Sequence, residues 1–175
     1  LPFTDGLTRT THFDDEMRQL ADRHYSRGKV GTRQFSPNGR KLVLRDTPGT
    51  VLFVWMFNVD DYERWDKQRG FYCQMFRNES TRRSSDIILE AEEWAFSKWG
   101  PNRCYTYVDP GKIHSSNPGF CFKAAGWHFV SVTTNGKHLL SKHDEHAREV
   151  IDGRDATLSS VEGEVRVLDR AQVAQ

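Results

Sequence analysis

The sequence lacks the features of membrane-spanning proteins and of secreted proteins held by disulfides. Its longest apolar run covers only residues 51–57, which is too short to cross a bilayer. Its start shows no charged segment followed by an apolar one, as a secretory signal requires. The three cysteines, Cys73, Cys104 and Cys121, are odd in number and have no CxxC spacing, which favours buried free thiols. We therefore expect a cytoplasmic protein without membrane contact.

An excess of charge of either sign is also missing, since 25 Lys and Arg residues balance 24 Asp and Glu residues. A nucleic-acid contact would therefore have to come from a local patch. Gly-x-Ser-x-Gly, Walker and HExxH patterns are absent, so serine hydrolases, P-loop NTPases and zinc proteases find no support. We predict no metal site. His143 and His146 have the spacing of a ligand pair in a tail helix, but a solvent-facing pair is the simpler interpretation.

Apolar and turn-forming segments alternate in an order that predicts a single α/β (α+β) domain, for which 175 residues suffice. Strands are expected at residues 7–12, 41–45, 50–59, 71–77 and 104–108, and a terminal hairpin joins 127–133 to 137–141. This order suits a mixed, mostly antiparallel twisted sheet flanked by helices, with one parallel crossover around a central helix. The domain covers residues 1–141, and a charged C-terminal extension, 142–175, either packs on it or is partly mobile.

Three helices are predicted from apolar spacing and from end signals. Asp14 is expected to cap the first helix. Residues 87–95 carry the apolar face of the central helix, which Gly100 ends. Asn117 and Pro118 are predicted as the N-cap and first residue of a short third helix.

The segment from residue 71 to residue 99 has the pattern of a buried strand, a polar loop and the central helix. Helix N-termini bind anions, because their first backbone N–H groups are unpaired and the helix dipole favours negative charge. The loop either holds the phosphates of a coenzyme or is only a solvated connection with a helix cap, and its place between strand and helix favours phosphates. The residues concerned are Arg77, Asn78, Ser80, Arg82, Arg83, Ser84 and Ser85.

A second polar segment, residues 27–40, contains several glycines and cations and is too long to be a mere connection. Long loops in compact domains are often functional. Its cations could contact the phosphates of a nucleic acid, and an aromatic residue just before it could stack on a base. The candidate substrate or DNA contacts in this region are His24, Tyr25, Ser26, Lys29, Arg33 and Arg40.

The element order and these residues together resemble the GNAT acyltransferase superfamily over roughly residues 7–141. The most specific part is the run 117–127, where an Asn is followed by an aromatic pair, a basic residue and Gly-Trp. The resemblance implies a site for acetyl-CoA or another acyl-CoA, with the pyrophosphate at residues 78–85 and the pantetheine arm beside a splayed strand at 104–108. Asn117, Phe120 and Lys123 would lie next to the coenzyme. The family's loop carries glycines that residues 78–85 lack, so side-chain contacts would have to replace close backbone approach.

A narrower resemblance is to phage Mom-type DNA-modification proteins, GNAT-like enzymes that alter adenine in viral DNA. It rests on the residues 24–26, 76–80 and 105–110 and on the Asn-Pro-Gly-aromatic-Cys-Phe run at 117–122. The resemblance implies a bacteriophage or prophage anti-restriction enzyme that acts on DNA in the host cytoplasm. Because exocyclic amines are inaccessible inside a duplex, the target base would be flipped out or single-stranded. Two rivals remain: a GNAT acetyltransferase that acts on a small amine or a protein, and a non-catalytic binding domain.

The resemblance implies direct attack of a neutral amine on the thioester, with backbone N–H groups near residues 77–79 stabilising the oxyanion. Asp109 is a candidate base or substrate ligand; alternatively, it only initiates the turn that follows it. Glu79 is a second candidate base, and its alternative role is to pair with Arg77 or Arg82.

Tyr105 and Tyr107 alternate along a strand, so they face the same side of the sheet. Either one donates a proton to the departing thiolate or both pack as half-buried aromatics. His24 falls on the apolar stripe of the first helix, where a satisfied core histidine is the alternative to a substrate ligand. The oligomeric state stays open, and the apolar strand at 51–57 would allow a homodimer.

Overall fold

The structure, a computed structural model, describes residues 6–57 and 66–143. The described residues as far as Lys142 belong to one compact unit, and residues 143–175 are assigned to a second unit, of which only His143 is described. All of the predicted C-terminal extension except Lys142 and His143 therefore lies outside the described residues, and so does His146. None of the described helices is long and apolar enough to cross a membrane.

Seven strands within the described ranges form one sheet with the order β1-β2-β3-β4-β5-β7-β6. All neighbouring strands are antiparallel except β4 and β5, which are parallel and are joined through the central helix. The predicted mixed, mostly antiparallel sheet with one parallel crossover is confirmed. The strands are β1 (Thr8–Thr10), β2 (Lys41–Arg45), β3 (Val51–Phe57), β4 (Phe71–Asn78), β5 (Cys104–Val108), β6 (His128–Val132) and β7 (His138–Lys142).

The helices are α1 (Asp15–Asp22), α2 (Ser84–Trp99) and α3 (Phe120–Ala124), with a 3₁₀ turn at Pro110–Lys112. Asp14 caps α1 as predicted, because its carboxylate accepts hydrogen bonds from the second and third N–H groups of the helix. Gly100 ends α2 as predicted. The predicted N-cap of α3 is wrong. Gly119 takes that place with φ 75°, while the Asn117 side chain accepts a hydrogen bond from Lys123 instead of capping the helix.

The sheet separates two apolar clusters, a larger one that contains the buried face of α2 and a smaller one beneath α1. Trp55 anchors the larger cluster: it is fully buried and its indole N–H donates to the carbonyl oxygen of Ala91 at 2.8 Å. Fully burying a side chain of this kind stabilises the fold by roughly 1.5–3 kcal/mol. The two clusters hold the sheet from both faces, and β4 contributes side chains to each.

A β-bulge interrupts β4 at Gln74. Cys73 pairs with Trp55 and Met75 pairs with Val54, which leaves Gln74 without a partner residue on β3. Cys73 therefore points into the α2 cluster, whereas Met75, two residues later, points into the α1 cluster. Bulges re-aim side chains and are frequent beside active sites. Because of this bulge, the side chains in the middle of β4 do not alternate regularly between the two faces of the sheet.

A buried carboxylate, Glu92 on α2, fastens the helix to the last strand. Its Oε1 accepts a hydrogen bond from the indole N–H of Trp127 at 2.6 Å, and its Oε2 forms an ion pair with Nζ of Lys142 at 2.7 Å. Nζ of Lys142 also donates to the carbonyl oxygen of Ala125 at 2.9 Å. Three segments distant in sequence therefore meet at one polar cluster under the central helix.

Candidate active site

A cleft opens between β4 and β5, because these parallel strands pair at only two positions. Phe71 faces Cys104 and Tyr72 faces Tyr105, and no further register pair joins them. The cleft has a volume of about 370 Å³ and a mostly apolar lining. Gln74, the bulge residue, lies in the middle of its β4 wall.

The closed end of the cleft depends on Gly70. The N–H of Phe71 donates to the carbonyl oxygen of Arg103 at 2.8 Å, which brings the two chains together at this point. Gly70 has φ 110°, and a Cβ there would lie 2.1 Å from the same carbonyl oxygen. Only glycine permits both this backbone conformation and this approach.

Several predicted site residues meet in the lining, although they come from distant segments. They lie in the turn after α1, on β5 and in the segment that leads into α3. The polar or exposed ones are His24, Tyr25, Ser26, Tyr107, Asn117 and Phe120.

Asn78 organises the loop between β4 and α2. Its amide nitrogen donates to the carbonyl oxygen of Arg82 at 2.8 Å and to the hydroxyl of Ser84 at 2.9 Å. Its Oδ1 accepts hydrogen bonds from the N–H and the hydroxyl of Ser80, at 2.9 and 2.6 Å. Lys67 is the one non-glycine residue of the described ranges with a positive φ, so the backbone of this loop does not require glycine. The sequence can therefore form a compact turn here without the glycines of the family's loop.

The N-terminus of α2 has an extended N-cap residue, Arg83, and no side-chain cap hydrogen bond. A helix end of this kind leaves backbone N–H groups for an anion. The Arg83 side chain is exposed and makes no hydrogen bond or ion pair with the described part of the chain. Arg82, in contrast, pairs with Glu90 at 2.6 Å, and Ser85 is buried. Of the predicted phosphate contacts, Arg83 is therefore the cation least engaged by the protein.

The run that leads into α3 borders the cleft through two of its three predicted coenzyme contacts. Asn117 and Phe120 line the cleft, and Phe120 is 63% exposed. Lys123 lies outside the lining and donates to Oδ1 of Asn117 at 2.6 Å. Lys123 therefore orients the side chain of Asn117 rather than lining the cleft itself.

Glu79 is held by two arginines, which favours the pairing alternative over the role of base. Its carboxylate accepts two hydrogen bonds from Arg23, at 2.8 and 2.7 Å, and one from Arg77 at 2.6 Å. These bonds lower the pKa of Glu79 to about 2. Its backbone N–H donates to the carbonyl oxygen of Thr50, so this N–H is not available to an oxyanion. The second partner is Arg23 rather than Arg82.

Asp109 occupies the position of a turn residue. Its carboxylate accepts the N–H of Gly111 at 3.0 Å and caps the 3₁₀ turn, and it does not line the cleft. Tyr105 is fully buried, whereas Tyr107 lines the cleft and donates its hydroxyl to Asp66 at 3.0 Å. Both rings contact Tyr72, as expected of alternate residues on one face. Of these candidates, Tyr107 is the one that reaches the cleft.

His24 lies just beyond α1 and is tied to the residues around it. Its Nδ1 accepts the N–H of Ser26 at 3.1 Å and lies 2.7 Å from the Ser26 hydroxyl, and its ring stacks on Tyr25. Burial, followed by the positive charge of Arg77, lowers the pKa of His24 to about 4, while a hydrogen bond to the backbone of Phe76 acts in the opposite direction. The imidazole is therefore neutral at physiological pH, as expected of a satisfied histidine.

This lowered pKa predicts a loss of stability in mild acid. Below pH 6.5 the unfolded chain protonates His24, but the folded protein does so only near pH 4, so the free energy of unfolding falls across this window. We expect a loss of about 2 kcal/mol between pH 7 and pH 5 from this group alone. Urea denaturation at both pH values should show that His24→Phe, which retains an aromatic ring beside Tyr25, removes this part of the loss.

His114→Phe is the control, because His114 is exposed. It should leave the difference between the two pH values unchanged. An equal difference in the wild-type protein and in His24→Phe would contradict the assignment.

A second cavity of about 510 Å³ lies beneath the basic loop, the glycine- and cation-bearing segment at residues 27–40. Arg27 fixes this loop: its guanidinium donates to Asp22 at 2.7 Å and to the carbonyl oxygen of Thr32 at 2.7 Å. Lys29 lines the cavity. Arg33 and Arg40 line neither cavity and lie over the rings of two phenylalanines, Phe13 and Phe57.

Ser26, Gln74 and Met75 line both cavities, which are therefore neighbours. Within residues 6–57 and 66–143, no Asp or Glu side chain lines either one. Gln74 was not among the residues predicted from the sequence. The signal was present, since it is the one polar residue, apart from a tyrosine, within the otherwise apolar run Phe-Tyr-Cys-Gln-Met-Phe.

Solved structures with little sequence identity share this fold. Aminoglycoside acetyltransferase AAC(6′)-Ib in complex with coenzyme A aligns over 82% of this chain and 96% of its own, with 13% identity and a TM-score of 0.55. Its complex with coenzyme A and kanamycin gives the same coverage and identity with a TM-score of 0.56. The complex with ribostamycin and coenzyme A covers 82% and 95% at 11% identity, also with a TM-score of 0.56.

No protein-family model matches the sequence, and no curated protein matches it. The shared architecture confirms the predicted GNAT-like fold. At this level of identity, the likeness extends to the fold alone.

Proposed function

We propose that this protein is an N-acyltransferase that uses acetyl-CoA or another acyl-CoA. The observation that carries the proposal is the cleft between β4 and β5, whose β4 wall leads through a short loop, residues 79–83, to the uncapped N-terminus of α2. An apolar slot whose wall leads to a helix end with unpaired N–H groups suits a ligand with a long uncharged arm and a phosphate group. The structural neighbours described as complexes with coenzyme A add support.

Different residues would hold the charged and the uncharged parts of the coenzyme. Arg83 and the first N–H groups of α2 would bind its phosphates, and the cleft lining near Asn117 and Phe120 would contact its arm. The coenzyme would supply an activated acyl carbonyl. The bulge at Gln74 is the place in the cleft wall where the backbone leaves the regular ladder, so an N–H here is placed to receive a ligand oxygen.

For the acceptor we propose an exocyclic amine of a nucleobase in DNA, as in the Mom-type resemblance. The basic loop supports this choice, because the lining of its cavity includes the exposed Lys29 but no carboxylate among the described residues. Such a lining favours a substrate with negative charge over a polycationic amine. An acetyltransferase acting on a neutral small amine would share the cleft but would not need the cations of this loop.

Acetyl-CoA is expected to stabilise the protein, and Arg83→Ala should weaken this effect. A ligand present at about 100 times its Kd raises the free energy of unfolding by about 2.7 kcal/mol. Loss of one charge-assisted hydrogen bond to a phosphate lowers affinity by roughly tenfold or more. Thermal-shift titration with acetyl-CoA measures both effects.

Arg9→Ala is the matched control, since Arg9 is an exposed arginine on β1 that lines neither cavity. Its titration should coincide with that of the wild-type protein. The proposal fails if acetyl-CoA leaves the melting temperature of the wild-type protein unchanged.

Binding to single-stranded DNA is expected to depend on salt and on the basic loop. Each neutralised phosphate contributes about 0.7 to the slope of log affinity against log salt for single strands. Replacing Lys29, Arg33 and Arg40 by alanine should therefore flatten the slope by about 2 in total. Fluorescence anisotropy between 50 and 200 mM salt, roughly the range where such effects are large, tests this.

The same measurement decides between the acceptors. A wild-type protein that binds acetyl-CoA but shows no salt-dependent DNA binding would favour the small-amine acceptor. If the triple variant shows the same salt dependence as the wild-type protein, the basic loop does not contact the DNA.

A further inference from the structure

We propose that Gln74 binds the acceptor, and that the attacking amine of the acceptor carries no positive charge at neutral pH, as in an amine attached to an aromatic ring. This inference rests on the proposed acyl transfer and names the class of amine that the same site takes. It follows from the position of Gln74, from its unpaired oxygen and from the chemistry of the cavity walls.

Gln74 is the residue that the bulge in β4 removes from the regular strand. It has no partner on β3, and it lines both the cleft between β4 and β5 and the cavity beneath the basic loop. Of the residues that line both, Ser26 bears only a small hydroxyl and Met75 is apolar. Among the described residues, Gln74 is therefore the one long polar side chain at the boundary where donor and acceptor would meet.

The side-chain oxygen of Gln74 is buried and accepts no hydrogen bond from any described residue. Buried polar atoms in native proteins are nearly always hydrogen-bonded, so an orphan on a residue that lines two cavities points to a ligand partner. The oxygen has almost no accessible surface, so the carboxamide would rotate toward a cavity to meet that partner. A carboxamide oxygen requires a donor, and the N–H of an amine is such a donor. The orphan oxygen thus has the chemistry to orient an attacking nitrogen.

Among the described residues, the cavity walls offer no carboxylate and no basic imidazole that could deprotonate an ammonium ion. No carboxylate of the described residues lines either cavity, and the carboxylate of Asp66 accepts a hydrogen bond from the hydroxyl of Tyr107. Glu79 is engaged by two arginines, and His24 is a weak base whose pKa is about 4. An alkylammonium, with a pKa of roughly 10, would have to lose a proton before it could attack. An aromatic amine is already neutral, and a neutral carboxamide is sufficient to hold it.

The transfer step balances without a further reactant. The lone pair of the amine attacks the acyl carbon, a C–N bond forms and the C–S bond breaks. The sulfur leaves as the thiolate of coenzyme A and takes up the proton that the nitrogen releases. The products are an amide and the free thiol.

The first experiment measures binding alone, by calorimetry with adenosine 5′-monophosphate, an aromatic amine that carries a phosphate. Gln74→Leu should weaken binding by about tenfold, and Gln74→Met, which keeps the length of the side chain without the carboxamide oxygen, should weaken it to a similar extent. Gln19→Leu is the matched control, because Gln19 is exposed on α1 and lines neither cavity. It should bind the nucleotide as the wild-type protein does.

A change on the ligand side separates a direct contact from a structural effect. The dimethylamino analogue of the nucleotide has no N–H and should bind the wild-type protein about tenfold more weakly than the parent. Gln74→Leu should bind both compounds equally. Equal affinities of the wild-type protein and Gln74→Leu for the parent nucleotide would overturn the assignment of Gln74.

Transfer assays with acetyl-CoA then test the class of amine. Single-stranded DNA should be acylated and 1,5-diaminopentane should not, and Gln74→Leu should raise the KM for DNA. Faster acylation of the diamine would overturn the inference about the neutral amine. If acetyl-CoA fails to bind the wild-type protein, the proposed function falls, while the nucleotide-binding experiment still decides the role of Gln74.

Discussion

Replacing Glu92 by alanine is expected to lower the free energy of unfolding by about 3–5 kcal/mol, a large part of the roughly 5–15 kcal/mol that is typical of folded domains. The carboxylate is 3% exposed and bonds both Trp127 and Lys142. Its removal leaves an indole N–H without a partner and a lysine charge without its counter-ion beneath α2. Breaking a buried pair by removing one member costs more than the pair itself contributes. Urea denaturation followed by tryptophan fluorescence measures this loss.

Glu93→Ala is the matched control, because it removes the same group from the next position on the same helix, where the side chain is exposed. It should change stability by no more than about 0.5 kcal/mol. If Glu92→Ala and Glu93→Ala lose stability equally, the buried cluster does not hold α2 to the last strand.

Gly70→Ala is expected to destabilise the protein by about 3 kcal/mol or more. Two costs add together: an alanine with positive φ is strained by roughly 1–2 kcal/mol, and its Cβ collides with the carbonyl oxygen of Arg103. Relief requires the two strands to part at the closed end of the cleft. Thermal denaturation should therefore show a large fall in melting temperature, and acetyl-CoA binding should weaken along with it.

Gly136→Ala separates the two costs. Gly136 has φ 82° in the β6–β7 turn, and a Cβ there meets nothing within 4 Å. It should show only the conformational part, about 1–2 kcal/mol. Similar losses of stability in the two variants would mean that the protein accommodates the contact between the new Cβ and the carbonyl oxygen of Arg103 at no further cost.

Much of the fold was predictable because its signals are local. The strands at 41–45 and 104–108 have the predicted bounds, since apolar runs between turn residues define them without reference to the rest of the chain. Asp14 and Gly100 act on the residues next to them, so their roles also follow from sequence. The third helix shows the limit of such signals, because Asn117 is engaged by Lys123 and the cap falls two residues later.

The candidate site depends on contacts that no local pattern encodes. Arg23 and Glu79 are 56 residues apart in sequence and meet only when α1 packs beside the end of β4. The bulge at Gln74 arises from the register between β3 and β4, which a single strand does not reveal. The sequence could show that residues 71–99 form a strand, a loop and a helix. It could not show which polar groups those elements would leave without partners.

The uneven attachment of β5 also has a consequence for how the protein folds during synthesis. β5 shares two register pairs with β4 and five with β7, which is the last strand of the described domain to be made. A nascent chain that ends before residue 138 thus lacks most of the hydrogen bonds that hold β5. Contacts between segments so far apart slow folding, because the loop entropy must be overcome first. The far wall of the cleft therefore forms late, after the central helix and the first four strands are already available to pack.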